Sequence, residues 1–503
     1  MVRTSFAPGL AAFLAAGAVA LLGLNAAAEP ERAAPPPSGT VHLRLLGLND
    51  LHGHLEPPRT GIGGVAWLKA HFDRHTLPGR TIRVHAGDMV GASPLLSSWF
   101  HDEPAIEAMG AIGFDVGTLG NHEFDEGGEE LLRLLRGGRR SGPDALKRDA
   151  EGRLVNTSDP GFAGVPFTTI AANTFDRDGR LLLPPFSVVE RAGVRVGFIG
   201  VTTAGTPRWL LRRYAEPFNF GDVSDAVNRW VPVLRARGVE AIVVLAHEGA
   251  PAQTAEDPHG PVVAEAREMH DAVDVVVAGH SHSMLNLRVP NPSGRGTKLV
   301  VEALSYGTAF DLVDLAIDRA SGEIVQASAR VPGTVHDEVQ PDAALGELVA
   351  ARRRRVAPLA ERVLGQLPRP LTRAGGELAQ IAAEAQREHA GADLALVSPA
   401  SLRADVDAGP VTYEELFAAQ AYDHPLLRLR VAGADLAELL RSAGGGVVRS
   451  AGVGPLQADA EYSVVASELL VDRLPGLRAQ GGAPQRVGTE VEALSAYVDR
   501  RLR

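Results

Sequence analysis

Five short stretches gather the side-chain types that hold divalent metal ions. Gly120-Asn121-His122-Glu123-Phe124-Asp125 packs an amide, an imidazole and two carboxylates into six residues. Asn49-Asp50-Leu51-His52-Gly53 sets Asp50 and His52 two apart, so an extended segment aims both side chains the same way. Ala86-Gly87-Asp88, Ala246-His247-Glu248-Gly249 and Gly279-His280-Ser281-His282 repeat the pattern, the last again with two potential ligands spaced by two. A histidine after a strand is often only a polar loop residue, and the hexapeptide alone reads as well as a helix-capping loop. Five of the 16 histidines, however, directly follow apolar runs and neighbour Asp, Asn or Gly. In one parallel-type sheet those strand ends lie along a single edge, where ligands bind. Seven ligands exceed one tetrahedral ion but fit two ions sharing a carboxylate. Imidazole, carboxylate and amide donors without thiolate suit zinc, manganese or iron better than calcium or a soft metal.

The elements that must position these residues read as α/β. Short runs rich in β-branched residues, Leu43–Leu48, Ile82–Val84, Val194–Val201, Ala241–Leu245, Val273–Val277 and Leu299–Val301, favour buried strands. The run Ile112 to Val116 leads into the hexapeptide, and Glu129 to Leu135 follows with helical spacing. Gly120 is expected to let the backbone turn sharply before Asn121 and His122. Helical stretches such as Val223 to Arg237 alternate with the strands, so residues 40–335 form a layered α/β domain. Leu345, Leu348, Val349, Arg352, Val356, Leu359 and Val363 then keep helical spacing, which puts a joining helix within 336–370. The arginines 352–355 read as its solvated face. Residues 371–503 mix helices (Glu377–His389, Gly433–Arg441) with short strands (Leu394–Val397, Leu426–Val431, Tyr462–Val465), a smaller α+β domain.

Composition narrows the function. With 503 residues, 45% hydrophobic and 22% charged, the chain suits two or three globular domains. A formal net charge of −11 speaks against a general nucleic-acid binder, and it requires local positive charge for any anionic substrate. Residues 1–28 read as an export signal: Arg3, an apolar centre from Leu10 to Leu24, and Ala26-Ala27-Ala28 as a cleavage site. That centre is about 15 residues, short of the ~20 a membrane span needs. Residues 29–39, with Pro30, Pro35, Pro36 and Pro37, form a tether. A periplasmic or extracellular protein is expected, without stable membrane insertion after cleavage. The absence of cysteine leaves no lipid-anchoring thiol and no disulfide framework.

These motifs resemble the bacterial 5′-nucleotidase family, whose first domain is a calcineurin-like metallophosphoesterase sandwich. Asn-Asp-Leu-His-Gly at 49–53, Gly-Asp at 87–88, Gly-Asn-His-Glu-Phe-Asp at 120–125 and Gly-His-Ser-His at 279–282 carry the resemblance, which extends over nearly all of the chain after the signal. It implies two divalent ions (zinc, manganese or iron) bridged by Asp88. Asp50, His52 and His282 would complete one shell, and Asn121, His247 and His280 the other. His122 and Asp125 match the family's catalytic pair, with Glu123 a supporting loop residue. Members of the family often carry Gln in place of His282, and His is an equally good neutral ligand. A water between two such ions becomes hydroxide near neutral pH and attacks phosphorus, while His122 donates to the phosphoryl or leaving oxygen.

In the second domain, Ser398-Pro399-Ala400-Ser401-Leu402-Arg403 stands where the family usually has Asn-Gly-Gly before Ile-Arg. Arg403 is expected to hold substrate phosphate or carboxylate, the alternative being a surface arginine without a ligand. The family sandwiches the nucleobase between two aromatic rings. Those positions fall near Val447 and Leu469, neither aromatic, while Phe417, Tyr422 and Tyr462 read as core, with Tyr422 the alternative ring for the base sandwich. The expected activity is hydrolysis of small phosphate monoesters, foremost nucleoside 5′-monophosphates or related nucleotides. The rivals are a cyclic phosphodiester, a nucleotide sugar or a sulfur ester on the same metal pair, or an inactive anion-binding protein.

Overall fold

A computed structural model describes residues 39–502 except 59, 254–257, 444–445, 452–453, 475 and 478–482. The export signal and nearly all of the tether lie outside the described residues.

Two six-stranded sheets face each other. In the first, Ile324–Arg330, Asp311–Asp318, Thr40–Leu48, Thr81–His85, Val116–Thr118 and Thr168–Ile170 lie side by side. In the second the order is Met284–Pro290, Thr297–Ala303, Val275–Val277, Ala241–His247, Val194–Thr202 and Phe186–Arg191. The central strands of each run parallel, Thr40–Leu48 beside Thr81–His85 and Ala241–His247 beside Val275–Val277; both edges of the second sheet are antiparallel, whereas in the first the edge strand Thr168–Ile170 stays parallel to its neighbour.

Alternation decides which face meets which layer. Leu43 and Leu45 pack against the opposite sheet, with Val243 and Leu245 arriving from the other side. The intervening Ile242, Val244 and Ala246 pack outward under Val227, Val231 and Leu234 of the helix Val223–Ala236. Leu46 and Leu48 likewise face Leu68 and Phe72 of the helix Val65–His75. Both faces of these strands are covered, which is why they read as continuous apolar runs. Each fully buried Val or Leu contributes roughly 1.5–3 kcal/mol, so this four-layer core dominates the stability.

The metal motifs correct one expectation. They do not share a sheet edge: Asp50, Asp88 and Asn121 follow strands of the first sheet, whereas His247 and His280 follow strands of the second. The parallel strands of both sheets end at the same rim, so the ligands still converge. The apolar run Ile112 to Val116 is also divided, since Ile112 closes the helix Glu103–Ile112 and the strand is Val116–Thr118.

The joining helix spans Ala343–Ala360, opened by Asp342, whose side chain accepts from the Leu345 amide. Val363 lies beyond it and begins the strand Val363–Leu367. The arginine run is a solvated face only at Arg354 and Arg355. Arg352 holds Glu107 with 2.8 Å contacts to both carboxylate oxygens, and Arg353 joins Glu56 to Glu414, a residue of the C-terminal domain. That domain is built on a five-stranded sheet in the order Val448–Arg449, Leu394–Val397, Glu461–Ser467, Pro425–Ala432 and Gln485–Thr489. Helices Glu377–Ala390 and Glu490–Arg501 cover one face, and Gly433–Ala443 with Glu468–Arg473 the other. Phe417 and Ala421 reach out of it into the hydrophobic cluster of the first domain.

Candidate dimetal site

At the shared rim, three groups of side chains each bring their ligand atoms within 4.8 Å of one another: Asp50, His52 and His282; Asp88, His247 and His280; and His52, Asp88 and His122. Asp88 belongs to two of these groups, and its Oδ2 stands 3.0 Å from His247 Nε2 and 3.7 Å from His52 Nε2. Asn121 Oδ1 lies 3.1 Å from the same His247 nitrogen. All seven side chains expected as ligands therefore meet at one place.

Hydrogen bonds on the far side of two rings fix which nitrogen faces inward. His52 Nδ1 donates to the Gly91 carbonyl at 2.9 Å, and His247 Nδ1 donates to that of Ala86 at 2.8 Å. Each Nε2 then presents a lone pair to the site, the tautomer a metal ligand needs. His52 Nε2 faces His282 Nε2 at 3.1 Å, and His247 Nε2 faces the oxygens of Asp88 and Asn121. Asp50 Oδ1 and Asn121 Nδ2 are buried without a hydrogen-bond partner among the described residues. Acceptors turned toward acceptors, with an orphaned carboxylate oxygen, fit a pocket shaped for divalent cations.

The ionisation pattern agrees. Burial alone would raise the Asp88 carboxyl, but His247 and His122 draw it well below the usual range. Burial would lower His247, yet Asp88 beside it pushes that imidazole up to about 10. Burial, reinforced by His247, takes His280 down to about 4. The carboxylates thus call for positive charge beside His247, which a bound divalent ion would supply in place of a proton, leaving the Nε2 lone pair to it.

The backbone is bent to make this convergence. Asp50, His52, Asp88, His280 and His282 all hold positive φ, between 48° and 72°. Such left-handed residues cost free energy and concentrate at functional sites, where packing over-determines them. Gly120 serves differently from expectation. A Cβ there would lie 2.1 Å from Asp88 Oδ1 and 2.5 Å from its amide nitrogen. Glycine is required by the close approach of two loops rather than by a turn.

Neighbouring groups lock the loops. Asn49 Nδ2 donates to Asp50 Oδ2 and to the Leu304 carbonyl, each at 2.7 Å. The Glu123 carboxylate accepts from the amides of Gly120, Asp88 and Met89, tying the second motif to the third. Behind the site Glu302 accepts from Ser281 Oγ and the Ser283 amide, steadying the stretch between His280 and His282. Nothing in the sequence marks Glu302 for this task, since it sits within an apolar strand.

His122 stands beside the metal groups, its ring 4.9 Å from that of His52, and its Nδ1 bonds Asp125 Oδ2 at 2.7 Å. Burial would depress this imidazole, but Asp125 and then Asp88 raise it well above its ordinary value. Arg403 comes from the C-terminal domain and donates to Tyr306 Oη at 3.2 Å. Its charge is favoured by Tyr422 first, then by Tyr306, Asp125 and Asp88. Arg403 is half-buried between Tyr306 and the Tyr422 ring.

Two aromatic residues stand at the site, of which Tyr306 was not expected from the sequence. Tyr306 lies 5.4 Å from the His282 ring and packs on His54 at 4.0 Å. Tyr422, read first as core, instead stacks near His122 at 5.8 Å and on His424 at 5.2 Å. With His122, Asp125 and His424 it borders a cleft of roughly 180 Å³ between the domains. Val447 and Leu469, read as the base-binding positions, instead pack in the domain core, Val447 against its outer hydrophobic cluster and Leu469 buried at 8% exposure. The Asp-His-Pro that follows Tyr422 was the available signal, because polar residues after a helix suggest a loop rather than a core.

Comparisons with known proteins give the same picture. Residues 43–284 match the family described as calcineurin-like phosphoesterase, and residues 363–467 match the 5′-nucleotidase, C-terminal domain family. Endonuclease YhcR of Bacillus subtilis (strain 168) is 32% identical over 426 residues, covering 81% of this chain and 33% of that protein. Cell wall protein Lmo0130 of Listeria monocytogenes is 30% identical over 458 residues, covering 80% of this chain and 56% of its own. The chain thus spans about a third to just over half of the length of these relatives. The crystal structure of a 5′-nucleotidase precursor from Thermus thermophilus shares the fold, with TM-score 0.73 at 23% identity over 92% of this chain and 96% of that one.

Proposed function

The chain belongs to the calcineurin-like phosphoesterases that carry a 5′-nucleotidase C-terminal domain, and from that premise we propose that it hydrolyses small phosphate monoesters, foremost nucleoside 5′-monophosphates. The observation that carries this reading is the convergence of Asp50, His52, Asp88, Asn121, His247, His280 and His282 beside His122 and Asp125. Asp50, His52 and His282 would hold one divalent ion and Asn121, His247 and His280 the other, with Asp88 shared between them. Nitrogen and oxygen donors suit zinc, manganese or iron. Two such ions, when bound, supply positive charge that acidifies water and neutralises phosphoryl oxygens.

The chain's own groups account for the rest. Asp125 fixes the His122 proton on Nδ1 and stabilises the imidazolium, so Nε2–H is available to a phosphoryl or leaving oxygen. Arg403, whose guanidinium stands 5.5 Å over the Tyr422 ring, offers a planar fork to an anion. Tyr422 offers a ring face within the cleft on which a nucleobase can stack. A nucleotide reaching from His122 toward Tyr422 would use both domains at once.

A second reading, cleavage of phosphodiesters, is favoured by the relative named an endonuclease. The net charge of −11 limits that reading to small diesters, since a polymer requires a basic surface. Export to the periplasm or the exterior belongs to the proposal and rests on the apolar segment of residues 1–28. Turnover of the metal-loaded protein against nucleoside monophosphates, sugar phosphates, cyclic nucleotides and an aryl phosphate tests the proposal. Phosphate release from nucleoside monophosphates is expected. Release from cyclic or diester substrates alone would replace the first reading by the second.

A further inference from the structure

Tyr306 holds a backbone angle that its side chain resists. Its φ is 60°, in the left-handed region that a bulky residue rarely adopts, and nearby Leu304 and Gly307 are left-handed too, at 54° and 66°. This bend follows the strand Thr297–Ala303 and is tied to the two loops that carry Asp50 and His282. The Tyr306 amide donates to the Asp50 carbonyl and the Leu304 amide to that of Ser283, each at 2.8 Å, while the Leu304 carbonyl accepts from Asn49 Nδ2. The phenol ring is thereby set among histidines, 4.0 Å from the ring of His54, 5.4 Å from that of His282 and 5.9 Å from that of His52. Backbone strain of this kind collects at functional sites, where the surrounding contacts hold it in place.

The hydroxyl closes a circuit of side chains from both domains. Arg403 Nη2 donates to Tyr306 Oη at 3.2 Å, and that guanidinium stands 5.5 Å over the Tyr422 ring. Tyr422 lies 5.8 Å from the His122 ring, His122 4.9 Å from His52, and His52 5.9 Å from Tyr306. His52 belongs to two of the three candidate ligand groups, so the circuit lies against the metal site. His122, Arg403 and Tyr306 all bring hydrogen-bond donors to it. Among the described residues Tyr306 Oη has no acceptor for its own proton, and no carboxylate pairs with the Arg403 guanidinium. A hydroxyl that accepts from a cation becomes a better donor in its turn. Donors of this kind, one of them a guanidinium, fit an anion with several oxygens.

We propose that Tyr306 is a further catalytic residue, whose hydroxyl, fixed by Arg403, donates a hydrogen bond to an oxygen of the reacting phosphoryl group. This rests on the phosphoesterase reading of the metal site. The proton stays on the tyrosine, and the bond strengthens as charge gathers on that oxygen in the transition state. A tyrosine that merely held Arg403 in place would serve ground state and transition state alike. One that only packed against His54 would need its ring and not its hydroxyl.

The test uses the full chain loaded with metal and compares the wild type with Tyr306→Phe, which keeps the ring and loses the hydroxyl. Metal content, aryl phosphate kinetics and calorimetric binding of inorganic phosphate and of orthovanadate, a five-coordinate mimic of the transition state, are measured. Tyr306→Phe is expected to keep its metal and to lower kcat on the order of 10²-fold, with KM within about threefold. It is expected to weaken vanadate at least about tenfold more than phosphate. Equal factors for the two anions, an effect confined to KM, or loss of metal overturns the assignment. If Tyr306→Phe does not fold, Tyr306→Gly, which adopts the same backbone angle without strain, decides by the same ratio. Should aryl phosphate not be turned over by the wild type, the phosphoesterase reading fails by itself. The vanadate to phosphate ratio still reads Tyr306, and a wild type that binds neither anion overturns both.

Discussion

His122 Nδ1 and Asp125 Oδ2 are 2.7 Å apart, joined across the single turn His122–Phe124. The bond is local, so it forms whenever that turn forms, and it leaves the other imidazole nitrogen to the cleft. If His122 supplies a proton to the departing oxygen, His122→Ala lowers kcat by on the order of 10²-fold or more while both metals stay bound. Asp125→Asn is expected to act in the same direction, because the amide orients the ring without stabilising its charge. Turnover measured beside metal content checks this. A metal-depleted His122→Ala would move the residue from proton donor to ligand.

Asp88 stands between the two groups of ligands, its Oδ2 facing both His247 and His52. Asp88→Asn removes the one charge the two groups share. It is expected to lose metal and activity together, and added metal is expected to restore little. Metal analysis of the purified variant is the measurement, with Glu123→Gln as a contrast. Among the described residues Glu123 hydrogen-bonds only to backbone amides. Its substitution is therefore expected to change stability more than metal stoichiometry.

The strands and the motifs that follow them were legible because burial on both faces writes itself as unbroken Val, Ile and Leu. Ala241–His247 and Leu394–Val397 are examples. Their grouping into two sheets was not, since a parallel strand reads the same in either sheet and only long-range pairing separates them. Arg352 and Arg353 misled for a related reason, while Arg354 and Arg355 are exposed as read. A helix face turned toward a second domain carries charges just as a solvated one does, and Glu56 and Glu414 lie far from Arg353 in sequence. Tyr422 reads as core first and as a base-stacking ring only second, because a tyrosine lining a cleft and one filling a core have the same composition around them. Gly120 shows the reverse case, a residue noticed for the wrong reason. Its neighbour Asp88 comes from another loop, and the sequence gives no sign of that approach.

Asp311 yields a pH prediction away from the metal ligands. It is fully buried, neither of its carboxylate oxygens has a partner among the described residues, and burial pushes its pKa up to about 8. Below the ordinary value of 3.8 both folded and unfolded chains hold the proton, and the group does not alter stability. Between there and about 8 unfolding releases the proton, so stability falls as pH rises, and above about 8 the full cost remains. Asp311→Asn removes that cost. Its melting temperature is expected to exceed that of the wild type at pH 8, and the difference is expected to shrink toward pH 4. A pH-independent difference in thermal scans would assign the effect to packing instead.

Arg353 bridges Glu56 of the first domain and Glu414 of the second from the joining helix, whereas Arg354 meets only Glu347 on its own helix. The Arg353 network is partly shielded, while the Arg354 pair is largely exposed. Arg354→Ala is therefore expected to stay within about 0.5 kcal/mol of the wild type, and Arg353→Ala to cost about 1 kcal/mol or more. Arg353→Ala is also expected to raise KM for nucleotides, which must touch both domains. Denaturant unfolding and steady-state kinetics of the two variants separate these effects. Equal behaviour would show that the bridge does not orient the domains.

Tyr422 sets the expected selectivity for a base. The aliphatic Val447 and Leu469 are committed to the domain core, and the ring available near His122 is that of Tyr422. Stacking contributes roughly 1–3 kcal/mol per base, which at about 1.4 kcal/mol per tenfold is one to two powers of ten in KM. Tyr422→Ala is thus expected to raise KM for AMP by about ten- to a hundredfold, while KM for an aryl phosphate rises by much less. Tyr422→Phe keeps the ring, including the face over which Arg403 stands at 5.5 Å, and loses only the hydroxyl. It is expected to hold both KM for AMP and the binding of inorganic phosphate near their wild-type values. The comparison of AMP, aryl phosphate and phosphate across the two variants separates the ring's role from the hydroxyl's. If Tyr422→Ala slows AMP and aryl phosphate by the same factor, Tyr422 positions His122, whose ring it neighbours, rather than a nucleobase.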